Sequence, residues 1–429
     1  MRDIAPFARG LREARRPALR CSRYSLGDLL PPIPCNQRTL AGAAAPADAA
    51  VRLPFEPRAR ERPTQESRGN AWSDISWGNG LLAAAFYERA ARETALKHLP
   101  LVTLYLSERC NSRCVTCDYW RHGAADMSLA AVRRLLPDLA RLHTQVVLIS
   151  GGEPLLNPEW QPIAAMLRAE GLKLWLLTSG LSLAKHASRA AALFEAITVS
   201  LDGTDRGTYE AIRGLDAFDK VCEGVRAAAQ SGVPTGIRVT LQRANYRQLP
   251  QFVVLARELG VQHVSFLAVD VANPHAFARR DGFDKNLALQ RQDLPVLAQI
   301  LDAMECEQAA AFRSGLIANS PRKLRGIHQY FSAVCGLGSY PPVRCNVFEY
   351  SAVIGATGRV QPCFFIAGPG RPAREDSLEE ILNGPAMSAL RERIRSGIRP
   401  ECATCVCSMW RDPEHRSFGD FLPQGRADA

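Results

Sequence analysis

Cys110, Cys114 and Cys117 stand in one short run, CNSRCVTC, directly after the apolar stretch LVTLYL (Leu101–Leu106). The apolar stretch reads as a buried parallel strand. Thiolates at this spacing can all reach one iron–sulfur cluster from a single loop. Three ligands on a four-iron cluster leave one iron open to bind and activate a substrate, whereas a fourth cysteine would close the cluster for plain electron transfer. Zinc is the competing reading, but a structural zinc normally takes four ligands. His122, five residues past Cys117, reads as a solvated loop histidine.

A second constellation lies near the C-terminus. Cys345 opens CNVFEYSAVIGATGRVQPC and Cys363 closes it. The interior alternates and turns at GATGR, with Gly358 five residues before Cys363, so it reads as a β-hairpin. After a helical stretch near Leu378–Arg395 comes CATCVC, with Cys402, Cys405 and Cys407. Two hairpin cysteines and a CxxC make four thiolates, enough to close a cluster or a zinc site. Cys222 and Cys306 fall in helical patterns and read as small apolar fillers.

Positioning these residues requires a scaffold, and the chain supplies a regular one. Strand patterns at 101–106, 144–150, 173–178, 196–202, 235–241 and 263–269 alternate with helical patterns near 128–142, 158–170, 182–193, 218–231 and 246–259. Short apolar strands alternating with amphipathic helices predict βαβ units and a parallel sheet. In barrels of parallel strands the chemistry sits where the strands end. Before this region, residues 81–99 carry an apolar helical pattern, and Trp72 and Trp77 read as anchors of a terminal segment. The expected organisation is a Pro/Ala/Arg-rich tail over 1–70, a helical segment over 71–100, the α/β core over 101–270, a helical connector over 271–340, the cysteine-bearing hairpin and helix region over 341–412, and a C-terminal tail over 413–429.

With 429 residues, 47% of them apolar and 22% charged, most of the chain is expected to be globular. No apolar run approaches the roughly 18 residues a membrane helix needs, so no membrane contact is expected. The clustering of the 13 cysteines fits metal ligation better than extracellular bridges and points to a reducing cytoplasm. Of the net charge of +10, six positives fall in residues 1–70, with thirteen Arg against seven Asp or Glu. That stretch reads as disordered, a tail rather than a nucleic-acid arm, with Cys21 and Cys35 as free thiols. Basic residues of the connector (Arg279, Arg280, Arg322, Lys323, Arg325) read as a solvated face, an anionic substrate being the alternative.

The three-cysteine run resembles the cluster-binding motif of the radical S-adenosylmethionine (SAM) superfamily. SGGEP (Ser150–Pro154), LLTSG (Leu176–Gly180), ITVSLDG (Ile197–Gly203) and TYEAIRG (Thr208–Gly214) follow in that superfamily's order at the ends of successive strands. The resemblance covers about residues 100–410. It implies a partial (β/α)6 TIM-like barrel, a [4Fe–4S] cluster with an open iron on Cys110, Cys114 and Cys117, and SAM on that iron. Gly151 and Gly152 would let the backbone approach SAM, Glu153 would accept from its amine, and Pro154 would stiffen the turn. Ser200 and Asp202 are implied as ribose or carboxylate contacts. Arg238 would be a fork for the SAM carboxylate or a structural ion-pair partner. Thr178 and Ser179 are further candidates. Where many members carry an aromatic residue before the third cysteine, this chain has Thr116, and Tyr119 and Trp120 are candidates to cover the adenine.

The GRVQPC hairpin followed by CxxC resembles the auxiliary-cluster region called SPASM or, in its shorter form, Twitch. The resemblance favours one auxiliary [4Fe–4S] cluster on Cys345, Cys363, Cys402 and Cys405, with Cys407 or Cys335 as substitutes. It implies reductive cleavage of SAM to a 5′-deoxyadenosyl radical, hydrogen abstraction from a substrate, and electron relay through the second cluster. Maturation of a ribosomally made peptide by oxidation or crosslinking is the first expectation, with any leader-peptide-binding unit a separate protein. A small-molecule dehydrogenase or an enzyme of cofactor biosynthesis is the alternative, and a non-catalytic iron–sulfur or zinc protein the third. A flavodoxin or ferredoxin is the expected electron donor.

Overall fold

The apolar run at Leu101–Ser107 forms β1, and the strands that follow lie parallel to it in sequence order: β2 (Val146–Gly151), β3 (Lys173–Thr178), β4 (Ala196–Ser200), β5 (Thr235–Leu241) and β6 (His263–Ala268). The structure, a computed structural model, describes residues 95–412 apart from 275, 280–283, 370–371 and 374–375. The expectations for the basic tail, Trp72, Trp77, Cys21, Cys35, the helix over 81–94 and residues 413–429 lie outside the described residues. Residues 95–99, the end of that expected helix, run without helix. Leu96 instead exchanges two hydrogen bonds with the Asn383 side chain, of 2.7 and 3.1 Å.

The six core strands alternate with α1 (Leu129–Arg141), α2 (Trp160–Ala169), α3 (Leu183–Leu193), the pair α4 (Arg206–Arg213) and α5 (Phe218–Gln230), and α6 (Leu249–Glu258). One face of the sheet (Val102, Leu104, Ile149, Leu176, Val199, Val239, Val264) is fully buried with the helices. The other carries half-buried Tyr105, Leu148, Trp175, Ser200, Arg238, Thr240 and Ser265. A parallel sheet is ordinarily buried on both faces. The polar, partly open inner face marks the lumen of a partial barrel.

The hairpin over 345–363 forms, but it does not stand apart from the core. Its strands β7 (Ser351–Ile354) and β8 (Val360–Gln361) are antiparallel, and β7 pairs in parallel with β1, Leu101 opposite Ser351. The sheet therefore has eight strands in the order β6-β5-β4-β3-β2-β1-β7-β8. The physical reason is the outer edge of β1, whose unpaired backbone groups need a partner. At the far side, Asn319 caps the edge of β6, accepting from Phe266 N at 2.8 Å and donating to Phe266 O at 3.0 Å.

The connector contributes α7 (Leu294–Glu307) and α8 (Pro321–Val334). The helix expected over 378–395 is split into α9 (Leu378–Asn383) and α10 (Pro385–Arg395). Gly384 and Pro385 break it, because proline has no N–H to continue the ladder. The carboxylate of Asp138 on α1 accepts from Leu378 N at 2.7 Å, so α9 docks against the core.

Candidate cluster and cofactor site

The cysteine loop leaves the end of β1 and is held on three sides by backbone. Gly152 N donates to Ser107 O (2.7 Å) and Glu153 N to Arg109 O (2.8 Å). Arg113 N donates to Arg213 O (2.9 Å) and Val115 N to Ile212 O (3.0 Å), at the end of α4. Asp118 N donates to Phe277 O (2.9 Å), in the segment after β6. Each of the three sulfurs faces an N–H donor. Ser112 N donates to Cys110 Sγ at 3.4 Å, the Arg213 guanidinium to Cys114 Sγ at 3.2 Å, and Tyr119 N to Cys117 Sγ.

Burial first, then the crowding of neighbouring sulfurs, pushes the Cys110 thiol up to about 11 and that of Cys117 up to about 12. Sulfurs that each accept an N–H are built to carry negative charge, and a bound cationic group would offset the cost of ionising the half-buried Cys110 and Cys117. That donor set fits an iron–sulfur cluster. Among the described residues no three His, Cys, Asp or Glu side chains gather tightly enough to hold a single metal ion.

The GGEP segment makes close contacts of its own to the cysteine loop and to the end of β3. Gly151 has φ +128°, and a Cβ there would lie 2.3 Å from Ser107 O; a Cβ on Gly152 would lie 2.5 Å from Arg109 O. The close approach that these glycines permit is to the cysteine loop's own backbone. The Glu153 carboxylate, fully buried, accepts from Leu155 N (3.1 Å), Thr178 Oγ1 (2.8 Å), Ser179 N (2.7 Å) and Ser179 Oγ (2.5 Å). Its lone pairs are spent joining β2 to the end of β3, which leaves little acceptor capacity for an amine. Thr178 and Ser179 are thus the partners of Glu153.

Asp202 is likewise internal rather than open to a ribose. Its carboxylate accepts from Thr240 N at 2.6 Å and stands 3.5 Å from Arg213 Nε. Ser200 faces the lumen opposite Arg238 in the β4–β5 register, and its carbonyl accepts from Arg213 at 2.7 Å. Arg238 lies in the lumen with Nε on Ser265 Oγ at 3.3 Å. Trp120 donates to Cys114 O at 3.3 Å, and Tyr119 meets Tyr105 edge to face at 5.8 Å. Both therefore brace the loop.

Arg213 was not among the sequence candidates. The signal available was the Arg-Gly that ends TYEAIRG, but 99 residues separate Arg213 from Cys114. Arg279 corrects the solvated-face expectation: it is 8% exposed and donates to Thr116 O and Asn273 O, each at 3.2 Å. Arg325 bears the expectation out, pairing with Asp302 and Glu305 at the surface.

Cys345, Cys363, Cys402, Cys405 and Cys407 all line one cavity of about 640 Å³, with Phe364, Met409 and Trp410. Backbone N–H groups again face the sulfurs: Met409 N on Cys345 and Cys407 N on Cys405, both at 3.4 Å, and Phe365 and Ile366 N on Cys363. Burial raises the thiols of Cys363, to about 12, and of Cys402, Cys405 and Cys407. Cys335 is elsewhere, at the end of α8 with its sulfur donating to Leu289 O at 3.3 Å. It does not line the cavity and is no substitute ligand. Cys407 does line it and stays a candidate.

The sequence model of the radical SAM superfamily matches residues 104–256, and that of the SPASM iron–sulfur cluster-binding domain matches residues 345–406. Pre-heme d1 synthase of Dinoroseobacter shibae is 32% identical over 169 residues, covering 38% of this chain and 41% of that protein, so the match spans less than half of the relative's own length. AdoMet-dependent heme synthase of Methanosarcina barkeri is 29% identical over 353 residues, covering 76% of this chain and 94% of that protein. Among solved structures, Streptococcus suis SuiB bound to S-adenosylmethionine superposes with a TM-score of 0.53 at 15% identity, covering 77% of each chain.

Proposed function

Because the chain carries a radical SAM domain and a SPASM iron–sulfur domain, and with them a [4Fe–4S] cluster, SAM and an auxiliary iron–sulfur cluster, we propose that it catalyses a net oxidation of a small molecule in cofactor biosynthesis. When bound, the reduced cluster and SAM together supply a 5′-deoxyadenosyl radical that abstracts hydrogen from the substrate. Cys110, Cys114 and Cys117 would hold three irons of the cluster and leave the fourth without a protein ligand. The strap at Gly151–Glu153 and the end of α4 fix the loop that carries the three cysteines. Tyr105, Trp175, Ser200, Arg238 and Ser265 line the lumen in which SAM and substrate would lie. Arg238 offers a planar fork for a carboxylate of either. Cys345, Cys363, Cys402 and Cys405, with Cys407 beside them, would hold the auxiliary cluster, whose chemistry would be one-electron transfer.

The observation that carries the substrate class is the alignment with AdoMet-dependent heme synthase, which covers 76% of this chain and 94% of that protein. It supports a carboxylated tetrapyrrole ahead of a peptide. Peptide maturation is the second reading and rests on the auxiliary domain alone. Anaerobically reconstituted protein, reduced in the presence of SAM, is expected to release 5′-deoxyadenosine and to oxidise an iron porphyrin bearing propionates in equal amount. Absence of 5′-deoxyadenosine under reductant overturns the enzymatic reading. Turnover of peptides with none of porphyrins moves the reading to the second.

A further inference from the structure

We infer that Arg213 sets the electron affinity of the first cluster, acting as a positioning residue through Cys114, with Asp202 as its counterweight. The inference rests on the radical SAM reading of the cysteine triad and gives a role to Arg213, which the TYEAIRG segment contains without a role assigned to it. Arg213 is the last residue of α4, and Gly214 ends the helix at φ +70°. A Cβ on Gly214 would lie 2.5 Å from Arg113 O, so the cysteine loop rests directly on the helix end.

From there the guanidinium turns inward. One nitrogen donates to Cys114 Sγ at 3.2 Å and another to Ser200 O at 2.7 Å, while Nε stands 3.5 Å from Asp202 Oδ2. Arg213 is 8% exposed, Asp202 3% and Cys114 8%. A buried cation persists only when paired, and Asp202 meets that requirement. The donor aimed at sulfur goes beyond it. Cys110 and Cys117 accept from neutral backbone, whereas Cys114 accepts from a full positive charge. One added electron spreads negative charge over the cluster and its thiolates. A fixed cation beside one ligand sulfur, in a dry setting, favours the reduced state over the oxidised one. Asp202 opposes that effect and limits it.

The test is an EPR-monitored redox titration of anaerobically reconstituted full-length protein, with iron and sulfide content measured on the same samples. At a fixed ambient potential, R213Q is expected to lower the reduced-to-oxidised ratio of the SAM-binding cluster about tenfold, a 59 mV downward displacement for a one-electron couple. D202N is expected to move the ratio the opposite way. R213K, which keeps the charge and loses the fork, is expected to fall between wild type and R213Q. The auxiliary cluster's midpoint serves as the internal control and is expected to stay put. Unchanged midpoints in D202N and in the loaded Arg213 variants overturn the inference. Should R213Q fail to load iron, D202N and R213K decide by the same rule. A wild-type protein without a SAM-responsive cluster would instead overturn the functional reading itself.

Discussion

The Glu153 carboxylate is held by hydroxyl and backbone donors, and among the described residues it forms no ion pair. Glu153→Gln turns one acceptor oxygen into a donor facing donors and leaves buried N–H groups unmatched, at a cost on the order of 1–3 kcal/mol. A lower Tm in thermal unfolding, together with weaker cluster loading, is the expected outcome. Gly152→Ala has a sharper effect, since its Cβ would stand 2.5 Å from one carbonyl of the cysteine loop and 2.6 Å from another. The loop must shift, and iron bound by the triad is expected to fall, read by iron analysis and the EPR signal of the reduced protein. Replacing Cys110, Cys114 and Cys117 with alanine is expected to remove about half of the iron and all SAM cleavage while sparing the auxiliary cluster. At this scale the sequence was legible where residues lie close together. CNSRCVTC announces itself. The partners of Glu153 and Cys114 come from other strands and helices, and spacing alone does not reveal which side chain a buried charge will meet. Arg213 was therefore missed.

Among the elements, β6 carries a buried titratable group of its own. His263 is 5% exposed and lies over Gly236 on β5, where a Cβ would come within 2.1 Å of its ring. Burial, with the charge of Arg238, lowers its pKa from 6.5 to about 4. The folded state thus holds His263 neutral while the unfolded chain binds a proton below pH 6.5. The stabilisation is whole above pH 6.5 and drains as pH falls toward 4, by on the order of 3 kcal/mol. His263→Phe is bulkier against Gly236 and less stable at pH 7.5, yet its denaturation midpoint is expected to lose less between pH 7 and pH 5 than that of wild type. The core strands matched their predicted spans to within two residues, because one face of the sheet is predominantly apolar and Gly or polar residues punctuate every turn. The split between α9 and α10 was equally written in Gly384–Pro385. The pairing of β7 with β1 was not, since a hairpin pattern says nothing about which edge will receive it.

For the molecule as a whole, that pairing joins the two cysteine sites in one sheet. Removing residues 341–429 would strip the partner from β1, the strand that leads into the cluster loop, and would take away α9, which docks against α1. The truncated chain is expected to lose solubility and its cooperative melting transition. Cys345→Ala combined with Cys363→Ala, in contrast, should keep far-UV circular dichroism near wild type while losing the auxiliary signal. Among the described residues no helix is long and apolar enough to cross a membrane.

The cysteine loop is clasped by β2, α4 and the segment after β6 through the protein's own amides and carbonyls. Its shape therefore does not wait for iron, unlike small zinc modules that fold only around their metal. A polypeptide stripped by chelator under reducing conditions is expected to keep its circular dichroism and to regain its absorbance when iron and sulfide return. Damage by oxygen then becomes an injury that resupply can mend rather than a sentence to proteolysis.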